Sequence, residues 1–147
     1  MTGAGELHVL FKVAETEYAL RASDVMHMES FSGATKVPGT APYVAGLVQI
    51  RGRVVPVVDV RARFGLPPAS LTIDSRVVVA QEKDRTVGLL VDSAREVLRI
   101  PLEEFKPPPE VVSRDTQGFV KAVAQSQKRL VMLLDFAKVI GETPNGQ

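Results

Sequence analysis

The strongest constraint on the fold is a pattern that the chain states twice. Asp59 begins DVRARFG and Asp135 begins DFAKVIG, 76 residues apart (135 − 59), and each closes an apolar run and leads to a glycine. An aspartate carboxylate accepts the unpaired amides of a first helical turn, and glycine suits the position after the last. Each segment therefore reads as one or two helical turns. Upstream, Gly46-LVQI and Gly118-FVKA open corresponding hairpins, 72 residues apart (118 − 46). YALRASDV (18–25) and VGLLVDSAREV (87–97) match in the same way, each behind a strand and a charged turn. Such a repeat describes two small β units with four clear strands each. A unit of that size buries only about 60% of its unfolded surface and is marginal alone, so the two are expected to pack together. The groove between them is a natural place for a ligand or partner.

The apolar runs are short and β-branched: His8–Val13, Glu17–Ala22, Ala45–Ile50, Arg53–Val60, Arg76–Ala80, Thr86–Asp92 and Arg129–Asp135. Compact polar turns (AETE at 14–17, QEKD at 81–84, QSQK at 125–128) separate several of them, the pattern of a hairpin-built all-β protein. Pro56 marks its run as an edge or bulged strand, because proline cannot donate to a ladder. The segments 30–43, 65–74 and 105–117 lack strand character and read as linkers. The 147 residues thus form a single unit of two subdomains divided near 66–75, with strand exchange between them left open.

Composition removes several functions. Eighteen Lys and Arg against 17 Asp and Glu give a formal charge of +1, so bulk electrostatics does not point to nucleic acid or anionic lipid. Arg51, Arg53, Arg61 and Arg63 form a local basic group without the aromatic pair of an RNA-binding sheet. Without cysteine there is no disulfide, thiol nucleophile or thiolate metal site. The two histidines, His8 and His27, have no nucleophile motif and no metal-ligand spacing around them, and read as ordinary structural residues. Asp59 and Asp135 are better explained as caps than as paired catalytic carboxylates, and Glu103-Glu104 lacks the alternation of a calcium loop. Gly52 suits a hairpin turn with positive φ, not a phosphate cradle. The triple proline at 107–109 reads as a rigid loop before a strand. No signal-peptide pattern or membrane-length apolar run occurs, which places the expectation in the cytoplasm without membrane insertion. What is left is a binding module with no reaction centre, metal or cofactor.

The run from Pro42 to Gly65, P-Y-V-x-G-L-x-x-I-R-G-x-V-V-P-V-V-D-V-R-x-x-F-G, resembles the signature of the CheW family of chemotaxis coupling proteins. LHVLFKVAETEYALRASDV resembles that family's opening hairpin, VP at 37–38 its loop, and TVGLLVDSAREVLRI its second-half hairpin. KPPPEV resembles its proline loop and RLVMLLDFAKVIG its ending, so the resemblance covers nearly the whole chain. It implies an all-β fold of two packed, SH3-like, five-stranded β-barrels with short helical turns. It also implies a non-catalytic adaptor. Such a protein binds the regulatory domain of a CheA-type histidine kinase and, between its barrels, the cytoplasmic tip of a methyl-accepting chemoreceptor. A CheW-like scaffold of a non-chemotactic or kinase-independent pathway, binding receptor only, is the alternative it leaves.

By position, Arg51 matches the family's prominent arginine, and Gly46 and Gly52 its glycines. Val25 and His27 fall on early partner-facing positions, and Val77, Gly88 and Val97 match further surface-contact positions. Gln49 replaces the usual Asn and keeps an amide. His27 stands where Glu is common, exchanging an acid for a neutral or weakly basic group, which would shift partner choice through charge complementarity.

Overall fold

The computed structural model describes residues 5–141. Eleven strands account for most of them: β1 Glu6–Val13, β2 Thr16–Arg21, β3 Val25–Ser30, β4 Val44–Ile50, β5 Arg53–Asp59, β6 Arg76–Glu82, β7 Arg85–Val91, β8 Ser93–Ile100, β9 Phe105–Lys106, β10 Val120–Ser126 and β11 Arg129–Leu134. Three short helices join them: α1 Val60–Arg63, α2 Glu110–Asp115 and α3 Phe136–Ile140.

The strands form two sheets, and the two halves of the chain exchange their hairpins. One sheet runs β8-β1-β2-β11-β10-β9, the other β3-β6-β7-β5-β4. The opening hairpin β1–β2 thus lies among strands from the C-terminal half, and β6–β7 lies among β3, β4 and β5. Each exchanged hairpin is held on both sides, antiparallel by β1 with β8 and β3 with β6, and parallel by β2 with β11 and β5 with β7. The parallel registers place Ala19 opposite Leu133 and Gly88 opposite Val57, so a very small residue sits at the seam in both sheets.

Both sheets curl, although neither hydrogen-bonded ladder closes among the described strands. A flat six-stranded sheet would hold its edges about 24 Å apart. Edges β8 and β9 are joined only by residues 101–104, which span at most about 17 Å. In the five-stranded sheet, the edges are drawn together by the Thr35–Leu47 bridge and an ion pair from Glu29 on β3 to Arg51 beside β4. This curvature is what makes each sheet SH3-like.

Three apolar cores result. Leu10, Ala19, Leu98, Ile100, Ala124 and Val131 fill the six-stranded sheet, and Val55, Val57, Val77 and Val79 fill the five-stranded one. The largest core lies between the sheets and takes residues from both, among them Phe11, Leu20, Val78, Leu89, Phe119, Leu134 and Phe136. Strand β6 explains the unbroken VVVA of the sequence: Val77 and Val79 face its own sheet's interior, while Val78 and Ala80 face the other sheet. A strand buried on both faces has no polar alternation to show.

The two aspartate signals hold. Asp59 accepts from the Arg61 and Ala62 amides, Asp135 accepts from the Lys138 amide, and Gly65 and Gly141 adopt φ of 75°. Other expectations are corrected. Gly46 and Gly118 are not counterparts: the matching bulges fall at Val44/Gly46 and Val120/Ala122, 76 residues apart (120 − 44), the spacing of the aspartates. Pro56 lies in an interior strand. The parallel ladder to β7 starts only at Val57, so the proline stands just before it, and the bulge is carried by β4. Residues 105–117 hold β9 and α2, and the triple proline leads into that helix, with Pro109 at its N-cap. A residue without an N–H suits the position, because the first amides of a helix have no partner.

A β-carbon at Gly88 would collide with Val77 Cγ1 inside the five-stranded sheet. Gly88→Ala is expected to cost about 1–3 kcal/mol in denaturant unfolding, as overpacked core sites do. Adding Val77→Ala to make room recovers part of that loss in a double-mutant cycle.

Candidate functional site

Residues Ile50 to Arg53 turn the β4–β5 hairpin with Arg51 at φ 52° and Gly52 at φ 81°. Two consecutive positive φ values define the tight turn whose twist matches its strands, and Gly52 supplies one without strain. The turn lifts Arg51 off the sheet, and its side chain is 66% exposed. Arg51 Nε donates to Glu29 Oε2 at 3.0 Å, while its two terminal nitrogens have no partner among the described residues. The guanidinium is thus aimed by one carboxylate and free to bind a second acceptor with its fork.

Beside this tip lies a cleft of about 550 Å³, lined by Glu29, Phe31, Thr35, Gln49, Arg51 and Val77 among others. Gln49 is exposed on β4 at its wall. Gly46 builds the cleft without presenting a side chain to it. A β-carbon there would strike the Thr35 carbonyl, whose oxygen accepts from the Leu47 amide at 2.8 Å. On β3, His27 and Glu29 pair with Val79 and Val77, so both point to this side of the sheet. Glu29 thus places a carboxylate one same-face step beyond His27.

Val25 and Val97 belong elsewhere. Val25 and Met28 pair with Ala80 and Val78, which line the core between the sheets, and Met28 is 40% exposed. Val97 pairs with Val9, which in turn pairs with Leu20 of that same core, and Val97 is 50% exposed. Strand β8 passes close to β6, the neighbour of β3. The three side chains thus lie on edge strands of the two sheets, each on the face turned to the inter-sheet core, and make up its apolar rim. The nominated residues accordingly divide into two surfaces, a polar hairpin tip and an apolar rim. Val77 and Gly88 are buried, not exposed: Val77 is 1% exposed and reaches only the floor of the cleft beside the tip, and Gly88 lies against it, so both chiefly shape the sheet. Met28 and Glu29 were legible only as the alternation of VMHMES.

A larger cleft, about 950 Å³, is lined by none of these residues. It is dominated by a clamp. Arg63 on α1 lies 4.1 Å from the Tyr43 ring centroid and 4.8 Å from that of Phe119, and donates to the Val139 and Lys138 carbonyls at 2.7 and 2.9 Å. It thereby satisfies the carbonyls at the end of α3. Two residues earlier, Arg61 donates through Nε and Nη2 to both oxygens of Asp92 at 3.0 and 2.7 Å, and through Nη1 to the Pro67 carbonyl. Asp92 also accepts from the Ala14 amide at 2.7 Å. Hydrogen bonds from Arg61 hold the Asp92 carboxyl below the usual carboxylate range, and Asp92 raises Arg61 in return. Neither Arg61 nor Asp92 carried a sequence signal of this role.

No group of three or more His, Asp or Glu among the described residues is placed to hold a metal. Among the described residues neither histidine hydrogen-bonds another side chain, and the one hydrogen bond of His8 is to the Glu6 carbonyl. The geometry offers surfaces for recognition.

A family model described as the CheW-like domain matches residues 7–143. The Bacillus subtilis chemotaxis protein CheW is 33% identical over 136 residues, which cover 92% of this chain and 87% of that protein. The Thermotoga maritima chemotaxis protein CheW is 31% identical over 140 residues, covering 93% and 89%. The crystal structure of the scaffolding protein TtCheW from Thermoanaerobacter tengcongensis superposes with a TM-score of 0.86 at 28% identity, over 97% of this chain and 96% of that one.

The Arg61–Asp92 pair makes a testable demand on stability. A carboxyl whose folded pKa is depressed stabilises the fold above its unfolded pKa of about 3.9, and that contribution is lost as pH falls through the folded value. Asp92→Asn is expected to cost about 1–2 kcal/mol at neutral pH, allowing for its partial exposure. The variant also flattens the fall in unfolding free energy below about pH 5, measured by denaturant titration at several pH values.

Proposed function

The chain belongs to the CheW-like domain family, and from that membership we infer that it is a non-catalytic adaptor joining methyl-accepting chemoreceptors to a CheA-type histidine kinase in a bacterial chemosensory array. The observation that carries this reading is the Arg51 tip, a guanidinium oriented by Glu29 on an exposed hairpin with its terminal nitrogens free. A group oriented in advance loses little entropy on binding and is the kind of side chain that anchors an interface. The apolar rim of Val25, Met28 and Val97 supplies a second, chemically different surface for the receptor's hairpin tip. A standard interface takes about 800 Å² from each partner, so the two surfaces can act on a chain of this size without merging. None of the described helices is long and apolar enough to cross a membrane. The adaptor would work in the cytoplasm and reach the membrane through the receptor.

Arg51→Glu sets two acids together at the tip, with Glu29 left unpaired. The variant is expected to unfold within about 0.5 kcal/mol of the parent, as exposed positions do. It should lose at least about tenfold in capture of the kinase regulatory domain or of the receptor tip, the size of a modest hot spot. Undiminished pull-down of both partners would sink the assignment. Co-purification with receptor but with none of the cognate kinases would favour the kinase-independent scaffold.

A further inference from the structure

At the end of the six-stranded sheet a cavity of about 450 Å³ opens between Ile100, Leu102, Phe105 and Leu133, with the cations Arg21 and Lys121 and one acid, Glu6, also lining it. One wall is His8, a polar side chain only 2% exposed. Its Nδ1 lies 3.0 Å from the Glu6 carbonyl oxygen, which can only accept, so the proton sits on Nδ1 and Nε2 keeps its lone pair. That nitrogen has no hydrogen-bond partner among the described residues. The imidazole is held in place by the Phe105 ring, 5.1 Å between centroids at 48°. Burial lowers the His8 pKa, and the nearby Arg21 acts in the same direction against Glu6, so the ring is a neutral acceptor. Of the two cations, Arg21 is engaged by Asp24, whereas Lys121 is exposed and has no ion-pair partner among the described residues.

We propose that this cavity is a binding site for a small aromatic carboxylate that carries a hydrogen-bond donor. The ring lies against Phe105 and Leu133, the donor meets His8 Nε2, and the carboxylate meets Lys121 at the rim. An apolar pocket with a few converging polar groups is the usual form of a small-molecule site, and an acceptor that no protein group satisfies selects for ligands able to donate to it. This site is independent of the adaptor reading and of the residues that carry it.

Indoleacetate supplies all three features. Naphthaleneacetate lacks the donor and indole lacks the carboxylate. The chain has two histidines, so imidazole resonances read His8 directly, with His27 as the internal reference. Titration of the full chain with indoleacetate is expected to move the His8 resonances saturably and leave those of His27 in place. The other two compounds should bind about tenfold more weakly, the scale of one lost hydrogen bond or ion pair. His8→Leu should bring indoleacetate down to the level of naphthaleneacetate. Lys121→Gln, a surface change that leaves the fold alone, should bring it down to the level of indole. The proposal is overturned if His8 does not respond, if the three compounds bind equally, or if Lys121→Gln binds indoleacetate as tightly as the parent.

Discussion

Everything in this molecule depends on the strand pairings that exchange its hairpins. Because β1 and β2 pair with β8 and β11, and β6 and β7 with β3 and β5, neither half of the chain owns a complete sheet. The largest core forms only when both sheets are present, since its residues come from each. That arrangement answers the size problem of the repeat: two units too small to be stable singly share one interior. It also fixes how the surfaces relate, because the rim between β3 and β8 exists only where the two sheets meet.

Helix α1 adds a second tie, made of polar groups. Arg61 joins the α1 turn to Asp92 and the Pro67 carbonyl, and Asp92 is bonded in turn to the first hairpin through Ala14. Arg63 reaches the end of α3, held between two aromatic rings. Two arginines on one short helix thereby connect elements from both halves of the sequence. The apolar core supplies most of the stability. The directional bonds select one relative placement of the sheets, as charged groups with fork geometry do. An adaptor whose surfaces lie on different parts of such a body presents them in a constant spatial relation.

The parts legible in the sequence were those whose signal is local. Capping aspartates, the turn at Arg51-Gly52 and the doubly buried runs of β5, β6 and β7 all declare themselves within a few residues. Strands β3 and β8 were not separately visible, because VMHMES and SAREVLRI mix polar and apolar positions and form no apolar run. The exchange of hairpins was invisible for a different reason: parallel partners lie far apart in sequence, and a register such as Ala19 opposite Leu133 leaves no local trace. Matching by motif position placed Arg51, Gln49 and Val97 on the surface but also Val77 and Gly88. A valine inside a curled sheet and one on its edge look alike until their neighbours are known. The His8 cavity escaped because a lone histidine in an apolar run reads as structural until its second nitrogen is seen to lack a partner.

The central claim is that one rigid body offers two separate surfaces, so that receptor and kinase can be held at the same time. The most direct measurement is light scattering on a mixture of this protein, a CheA-type regulatory domain and a receptor hairpin tip, after each pair has been characterised alone. A single species with the summed mass of all three partners is the predicted result. If the receptor tip instead displaces the kinase domain, the two surfaces are one, and the account is contradicted.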